Sequence, residues 1–182
     1  MIENSKPAKA RRSGQLTGMT GLYLVAAELS KLGYIASPTS RSAQGADLLV
    51  TDPDCHHAFS VQVKTNASTF NFWLMGKKNL EMRSPSLVYA FVNLRKDRTE
   101  YFIVPSDVVA DNIQVSQSSN KLPDSTDVVS DALAEEEGKK TNTWYAVYHK
   151  TAQKYENNWK IFDHKRYKTV WEPFPTSTKK AL

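Results

Sequence analysis

Apolar residues recur at three- and four-residue spacing from Leu22 through Val25, Ala26 and Leu29 to Leu32, the stripe of an amphipathic helix. The helix is expected to begin near Thr17 or Thr20, and Gly33 can stop it, because glycine readily takes the left-handed conformation that ends many helices. Tyr34 to Ala36 is a short strand candidate, Ser37 to Gly45 a polar loop, and Ala46 to Val50 a compact apolar strand. Thr51-Asp52-Pro53-Asp54 has turn chemistry, since proline presets the backbone and aspartate bonds its own main chain. Ala58 to Lys64 then alternates, with Phe59, Val61 and Val63 on one face and Ser60, Gln62 and Lys64 on the other. That period of two predicts a half-buried strand returning antiparallel to the one before it.

Farther on the pattern is less regular. Thr65 to Ser84 mixes Phe70, Phe72, Trp73 and Leu74 with Lys77 and Lys78, and no single period fits it. Leu87 to Leu94 and Glu100 to Val104 read as two more strands joined by the charged turn Arg95 to Arg98. Pro105 closes the second, and Ser106 is the expected N-cap of a short helix through about Asn112. Trp144 to His149 is the last strand predicted, followed by a helix or helical turn over Thr151 to Trp159.

Composition sets the scale. A chain of 182 residues, 40% hydrophobic, is one ordinary domain with a core of its own. The expected organisation is a mobile basic arm over residues 1–14 and a single domain over 15–182, interrupted by a peripheral acidic insertion at about 116–143. No apolar run approaches the roughly 20 residues needed to cross a bilayer, so no membrane span is expected. The N-terminal residues lack the apolar segment of a secretory signal, and the single cysteine, Cys55, suits a reducing compartment; both point to the cytoplasm. Charge is uneven within the net +5: eight Lys or Arg stand against three acids from His149 onward, whereas Ser106 to Thr143 holds eight acids against three lysines. Clustered basic residues suit a polyanion, because neutralising phosphates releases counterions.

Candidate chemistry gathers where the two middle strands meet. Gln62 and Lys64 share a strand face about 7 Å apart, and the tight turn brings Asp47 of the preceding strand toward them. Asp47, the amide oxygen of Gln62 and the main-chain carbonyl of Val63 make an oxygen-only donor set, which suits a hard cation such as Mg²⁺, with Mn²⁺ as an alternative. Lys64 beside it can orient an attacking water or neutralise charge on a phosphate.

Gly45-Ala46-Asp47-Leu48-Leu49-Val50 followed by Val61-Gln62-Val63-Lys64-Thr65 resembles the signature of the PD-(D/E)XK nuclease superfamily in its Gln-x-Lys variant. The resemblance extends from Gly21 to Pro105. It implies an α/β fold with a restriction-endonuclease-like αβββαβ core, a central mixed β-sheet flanked by helices. It also implies a metal-dependent DNA endonuclease that hydrolyses phosphodiester bonds. Many members work as dimers, so a homodimer is an expectation by analogy. Many also carry a glutamate on the first helix directly after a glycine equivalent to Gly21; here that place holds Leu22, and Glu28 is the nearest carboxylate to take the role. Arg41 and Gln44 in the loop before the Asp47 strand, with Lys77 and Lys78, are the candidate nucleic-acid contacts. The alternative is a catalytically impaired nuclease-fold module that binds nucleic acid or a protein partner.

Overall fold

A computed structural model describes residues 14–40, 45–67, 70–118 and 142–163. Residues 1–13 of the expected basic arm, Arg41, Gln44, most of the acidic insertion and the basic stretch beyond residue 163 lie outside these residues, while Gly14, placed in the arm, begins the first helix.

The first helix, α1, runs Gly14–Lys31, earlier than either threonine suggested. Thr17 is buried within it, and the Thr20 hydroxyl donates to the Leu16 carbonyl one turn back at 2.8 Å, the bond of an interior threonine and not of a cap. Val25 and Leu29 are fully buried, and Gly33 at φ +91° ends the helix as the sequence predicted.

Five strands form the main sheet: β1 (Ile35–Pro38), β2 (Leu48–Thr51), β3 (Ala58–Asn66), β5 (Leu87–Leu94) and β6 (Thr99–Pro105) in the spatial order β1-β2-β3-β5-β6. Between β3 and β5 the chain makes β4 (Phe72–Met75) and a 3-10 turn over Lys77–Leu80. The sheet is mixed: β1, β2 and β3 are antiparallel in succession, β3 and β5 are parallel, and β5 and β6 are antiparallel. The hairpin predicted around Thr51-Asp52-Pro53-Asp54 is present. Its turn is held by the buried Asp52 carboxylate, which accepts the His56 and His57 amide N–H groups and lies 3.1 Å from His57 Nδ1. β5 is the most deeply buried strand, covered at seven of its eight positions, as a near-continuous apolar run demands when both sheet faces are covered.

One face, carrying Leu48, Val50, Phe59, Val61, Val88, Ala90, Val92 and Ile103, packs on α1 and on Ile161 and Phe162 near the described C-terminal end. The opposite face, carrying Tyr89, Phe91, Phe102 and Val104, packs on Trp73, Met75, Val109, Val147 and Ala152. Those residues belong to a second sheet in the order β4-β8-β7, where β7 is Gln114–Ser118 and β8 Asn142–Tyr148, and to the helices α2 (Ser106–Asn112) and α3 (His149–Ala152).

Three local expectations are revised. Ser106 is the first residue of α2 instead of its cap, because its hydroxyl ties down the Ser84 backbone, donating to the carbonyl at 2.8 Å and accepting from the N–H at 2.9 Å. The last predicted helix breaks into α3 and two 3-10 turns, Gln153–Tyr155 and Trp159–Phe162, with Asn157 at φ +50° between them. The connection between the parallel strands β3 and β5 contains β4 and the 3-10 turn, where the αβββαβ pattern has a helix. The observed architecture is an α/β fold with a mixed five-stranded sheet flanked by helices. No helix among the described residues is long and apolar enough to cross a membrane.

Candidate metal and phosphate site

The site forms where β2 stops short beside β3. Gly45, at φ +85°, turns the chain into β2, and a Cβ there would lie 2.7 Å from the Met82 methyl. Asp47 follows. Its amide N–H donates to the Val61 carbonyl at 2.8 Å, and its carbonyl accepts from Thr39 N–H at 3.0 Å, so its main chain is held between β1 and β3. The register pairs Leu48 with Val61, which makes the Asp47–Val61 bond one residue out of step, and the ladder ends there. The Val63 N–H, next along β3, is satisfied by the Asp47 carboxylate instead, at 2.7 Å.

That bond fixes where the remaining donors are. Along a strand the N–H and C=O of one residue point to the same side and alternate with those of the next. The Val61 carbonyl reaches toward β2, so the Val63 carbonyl, two residues on, also projects toward the gap that the Asp47 side chain spans. The pairing of Asp47 with Gln62-Val63-Lys64 is therefore a spatial one, and the carboxylate sits on the residue between Gln62 and Lys64.

Gln62 and Lys64 lie opposite Tyr89 and Phe91 of β5, on the sheet face away from α1. Both are half-buried. The Gln62 amide oxygen accepts a hydrogen bond from Asn79 Nδ2 at 3.0 Å, and Asn79, 1% exposed, sits on the 3-10 turn with Lys77 and Lys78. Both lysines are exposed. Lys78 lines a cavity of about 420 Å³ together with Gly45, Glu81 and Met82, open to solvent beside the bend that carries Asp47 into β2. Asn79 Nδ2 also donates to the Tyr89 hydroxyl at 2.8 Å and lies 3.5 Å from Met82 Sδ. Burial pushes the Tyr89 phenol above its ordinary pKa, and the Asn79 bond, which favours the phenolate, pulls partly back.

Glu28 is placed elsewhere. It projects from α1, on the opposite face of the sheet, and its carboxylate is paired with Lys31 at 2.9 Å. Its charge is felt by Tyr101, whose phenol is raised first by burial and then by Glu28. Tyr101 is on β6, three strand spacings from β2 in the sheet order, or about 14 Å at roughly 4.8 Å each. Leu22, at the position where a helix glutamate was considered, packs against the core on that same face. Helix α1 therefore brings no carboxylate to Asp47 through either residue.

Asn79, Glu81, Met82 and Tyr89 were not singled out from the sequence. Asn79 follows two lysines in a segment without period, and only the fold shows that it is buried. Tyr89 is the in-register parallel partner of Gln62 on β5, a pairing that only the fold shows.

An oxygen-donor set of Asp47, Gln62 and the Val63 carbonyl, completed by waters, fits Mg²⁺ or Mn²⁺, which are held by few protein oxygens and keep much of their hydration. No three His, Cys, Asp or Glu side chains gather as a metal-binding group among the described residues; Cys55 is exposed at the hairpin turn and His57 faces Asp52. Comparisons with protein-family models, with curated proteins and with solved structures return no match to this chain.

Proposed function

We propose that this protein is a Mg²⁺-dependent DNA endonuclease of the PD-(D/E)XK type, with Asp47, Gln62 and the Val63 carbonyl holding the metal and Lys64 acting beside it. The observation that carries this reading is the 2.7 Å bond from Val63 N–H to the Asp47 carboxylate, which closes the Asp/Gln-x-Lys pattern in space at the end of a strand ladder. Bound there, the ion supplies Lewis-acid polarisation of a phosphodiester. Asp47 contributes the anionic ligand, and its bond from Val63 holds it in place. Lys64, two residues along the same face from Gln62, orients the attacking water or offsets charge building on the phosphate. Lys77 and Lys78, exposed on the neighbouring 3-10 turn, supply sequence-independent phosphate contacts. The open cavity beside Gly45 and Lys78 leaves room for a backbone phosphate to approach.

A second reading rests on the placement of Glu28. A site with one carboxylate binds metal weakly, and the same fold would then serve as a module that binds nucleic acid or a partner without cutting. Cleavage of supercoiled plasmid with Mg²⁺ or Mn²⁺ separates the two. Wild type is expected to nick or linearise it, and Asp47→Ala and Lys64→Ala to lose activity by at least 100-fold, the scale on which metal and charge-stabilising groups act. Activity that survives both substitutions refutes the assigned site. Binding that weakens steeply with salt, with no cleavage by any form, identifies the module.

A further inference from the structure

The network around Asn79 leaves no choice about which way the Gln62 amide faces. Gly76 N–H can only donate, and it points at Asn79 from 2.8 Å, so the atom of Asn79 that meets it is the oxygen, Oδ1. The other end is then Nδ2, which can only donate. Its two hydrogens meet the Tyr89 hydroxyl at 2.8 Å and Gln62 at 3.0 Å, so the atom Gln62 presents to it must be its carbonyl oxygen. One obligatory backbone donor thus determines two successive amide orientations, and Asn79 is almost completely buried, 1% exposed.

We infer that Asn79 is a positioning residue for the proposed metal site, selecting the carbonyl oxygen of Gln62 over its NH₂ group as the atom offered to the cation. This rests on the reading of Gln62 as a ligand. A glutamine amide is nearly symmetric in shape but opposite in polarity at its two ends. In water the two flips are close in energy, and one of them turns an N–H donor toward a positive ion. Asn79 removes that flip. A carbonyl oxygen has two lone pairs, so the bond from Asn79 occupies one and leaves the other for the metal. Because Asn79 is itself locked by Gly76 and Tyr89, the orientation is set before any ion arrives. Outer partners that fix a ligand in this way are worth roughly 10–100-fold in metal affinity or activity.

A carboxylate at position 62 has oxygen at both ends and needs no such selection, which supplies the test. Mn²⁺ dissociation constants are measured by titration calorimetry on the full chain for wild type, Gln62→Leu, Asn79→Leu, Gln62→Glu and the double variant Gln62→Glu/Asn79→Leu, with folding checked by circular dichroism. Asn79→Leu is expected to weaken Mn²⁺ roughly 10–100-fold in the glutamine background and by less than about threefold in the glutamate background. An equal loss in both backgrounds means that Asn79 merely supports the fold, and overturns the inference; so does an affinity that is unchanged or tighter in Asn79→Leu. Unchanged affinity in Gln62→Leu would instead remove Gln62 from the ligand set, a failure of the functional reading itself. If Asn79→Leu does not fold, Asn79→Ala, which leaves space for a water, carries the same pair of comparisons.

Discussion

Two glycines three residues apart on α1 are predicted to respond to the same substitution with opposite signs. A Cβ built on Gly18 meets nothing within 4 Å, so Gly18→Ala collects only the helix-propensity gain, about 1 kcal/mol of stabilisation. A Cβ built on Gly21 would overlap Thr65 Oγ1 and stand 2.8 Å from its Cγ2 and 2.9 Å from its Cβ. Rotating Thr65 exchanges the first two contacts but leaves the third, so relief requires the helix to lift from β3. Overpacking of this kind costs about 1–3 kcal/mol, and contact with a strand Cβ puts it at the upper end. Subtracting the propensity gain, Gly21→Ala is expected to destabilise by about 2 kcal/mol, which makes the two alanine variants differ by about 3 kcal/mol. Urea unfolding at constant m-value reads this directly. Thr65→Ala in the Gly21→Ala background removes the two closest contacts, Oγ1 and Cγ2, and should recover part of the loss, the Cβ contact remaining. That rescue is inexpensive, because Thr65 Oγ1 is buried without a hydrogen-bond partner. Gly21→Ala as stable as Gly18→Ala would refute the close seating of α1 on β3. Since Thr65 follows Lys64 directly, that seating also steadies the strand carrying the candidate site.

Glu28→Gln is expected to change stability by less than about 0.5 kcal/mol, the scale of a surface helix pair, and to leave Mn²⁺ affinity unaltered; a tenfold loss of affinity would return Glu28 to the site. Asp47→Asn keeps an acceptor for Val63 N–H and should be more stable than Asp47→Ala by about 1–2 kcal/mol, while both lose the metal. Asn79→Leu withdraws the hydrogen bond that favours the Tyr89 phenolate, so ultraviolet titration should find the Tyr89 pKa higher still; a fall would contradict the assigned donor. Glu100 is opposed by burial, but hydrogen bonds from Asn93, Arg95 and Arg98 outweigh it and lower its pKa below the ordinary 4.5. Its contribution to stability is therefore complete above pH 4.5 and lost as the pH falls through the depressed folded value. Unfolding curves of Glu100→Gln should lack that acid-side decline, and an unaltered decline would assign it to other carboxyl groups.

The secondary structure was most legible where burial follows a short period. β3 alternates because one face meets α1 and the other meets β4 and the 3-10 turn, and β5 reads as an apolar run because both its faces are covered. Of the second sheet only β8 was legible, as the predicted strand Trp144 to His149. β4 is four residues long and finds its partner in β8, some seventy residues later, and β7 pairs with the other edge of the same strand. Pairing of that range leaves no mark on the local pattern, and so Phe72–Met75 and Gln114–Ser118 carried no recognisable period.

The same division runs through the candidate site. The sequence alone determined that Asp47, Gln62 and Lys64 could converge, because a tight turn and a two-residue period are local properties of the chain. It could not place Glu28, since a position on a helix says nothing about which face of a distant sheet the helix will cover; packing put α1 on the side away from Gln62. Nor could it reveal Asn79, whose role depends on a backbone donor three residues back and on two side chains from different strands. What the tertiary structure decided is the orientation of the Gln62 amide, because that depends on hydrogen-bond donors meeting in space, and no spacing along the chain encodes it.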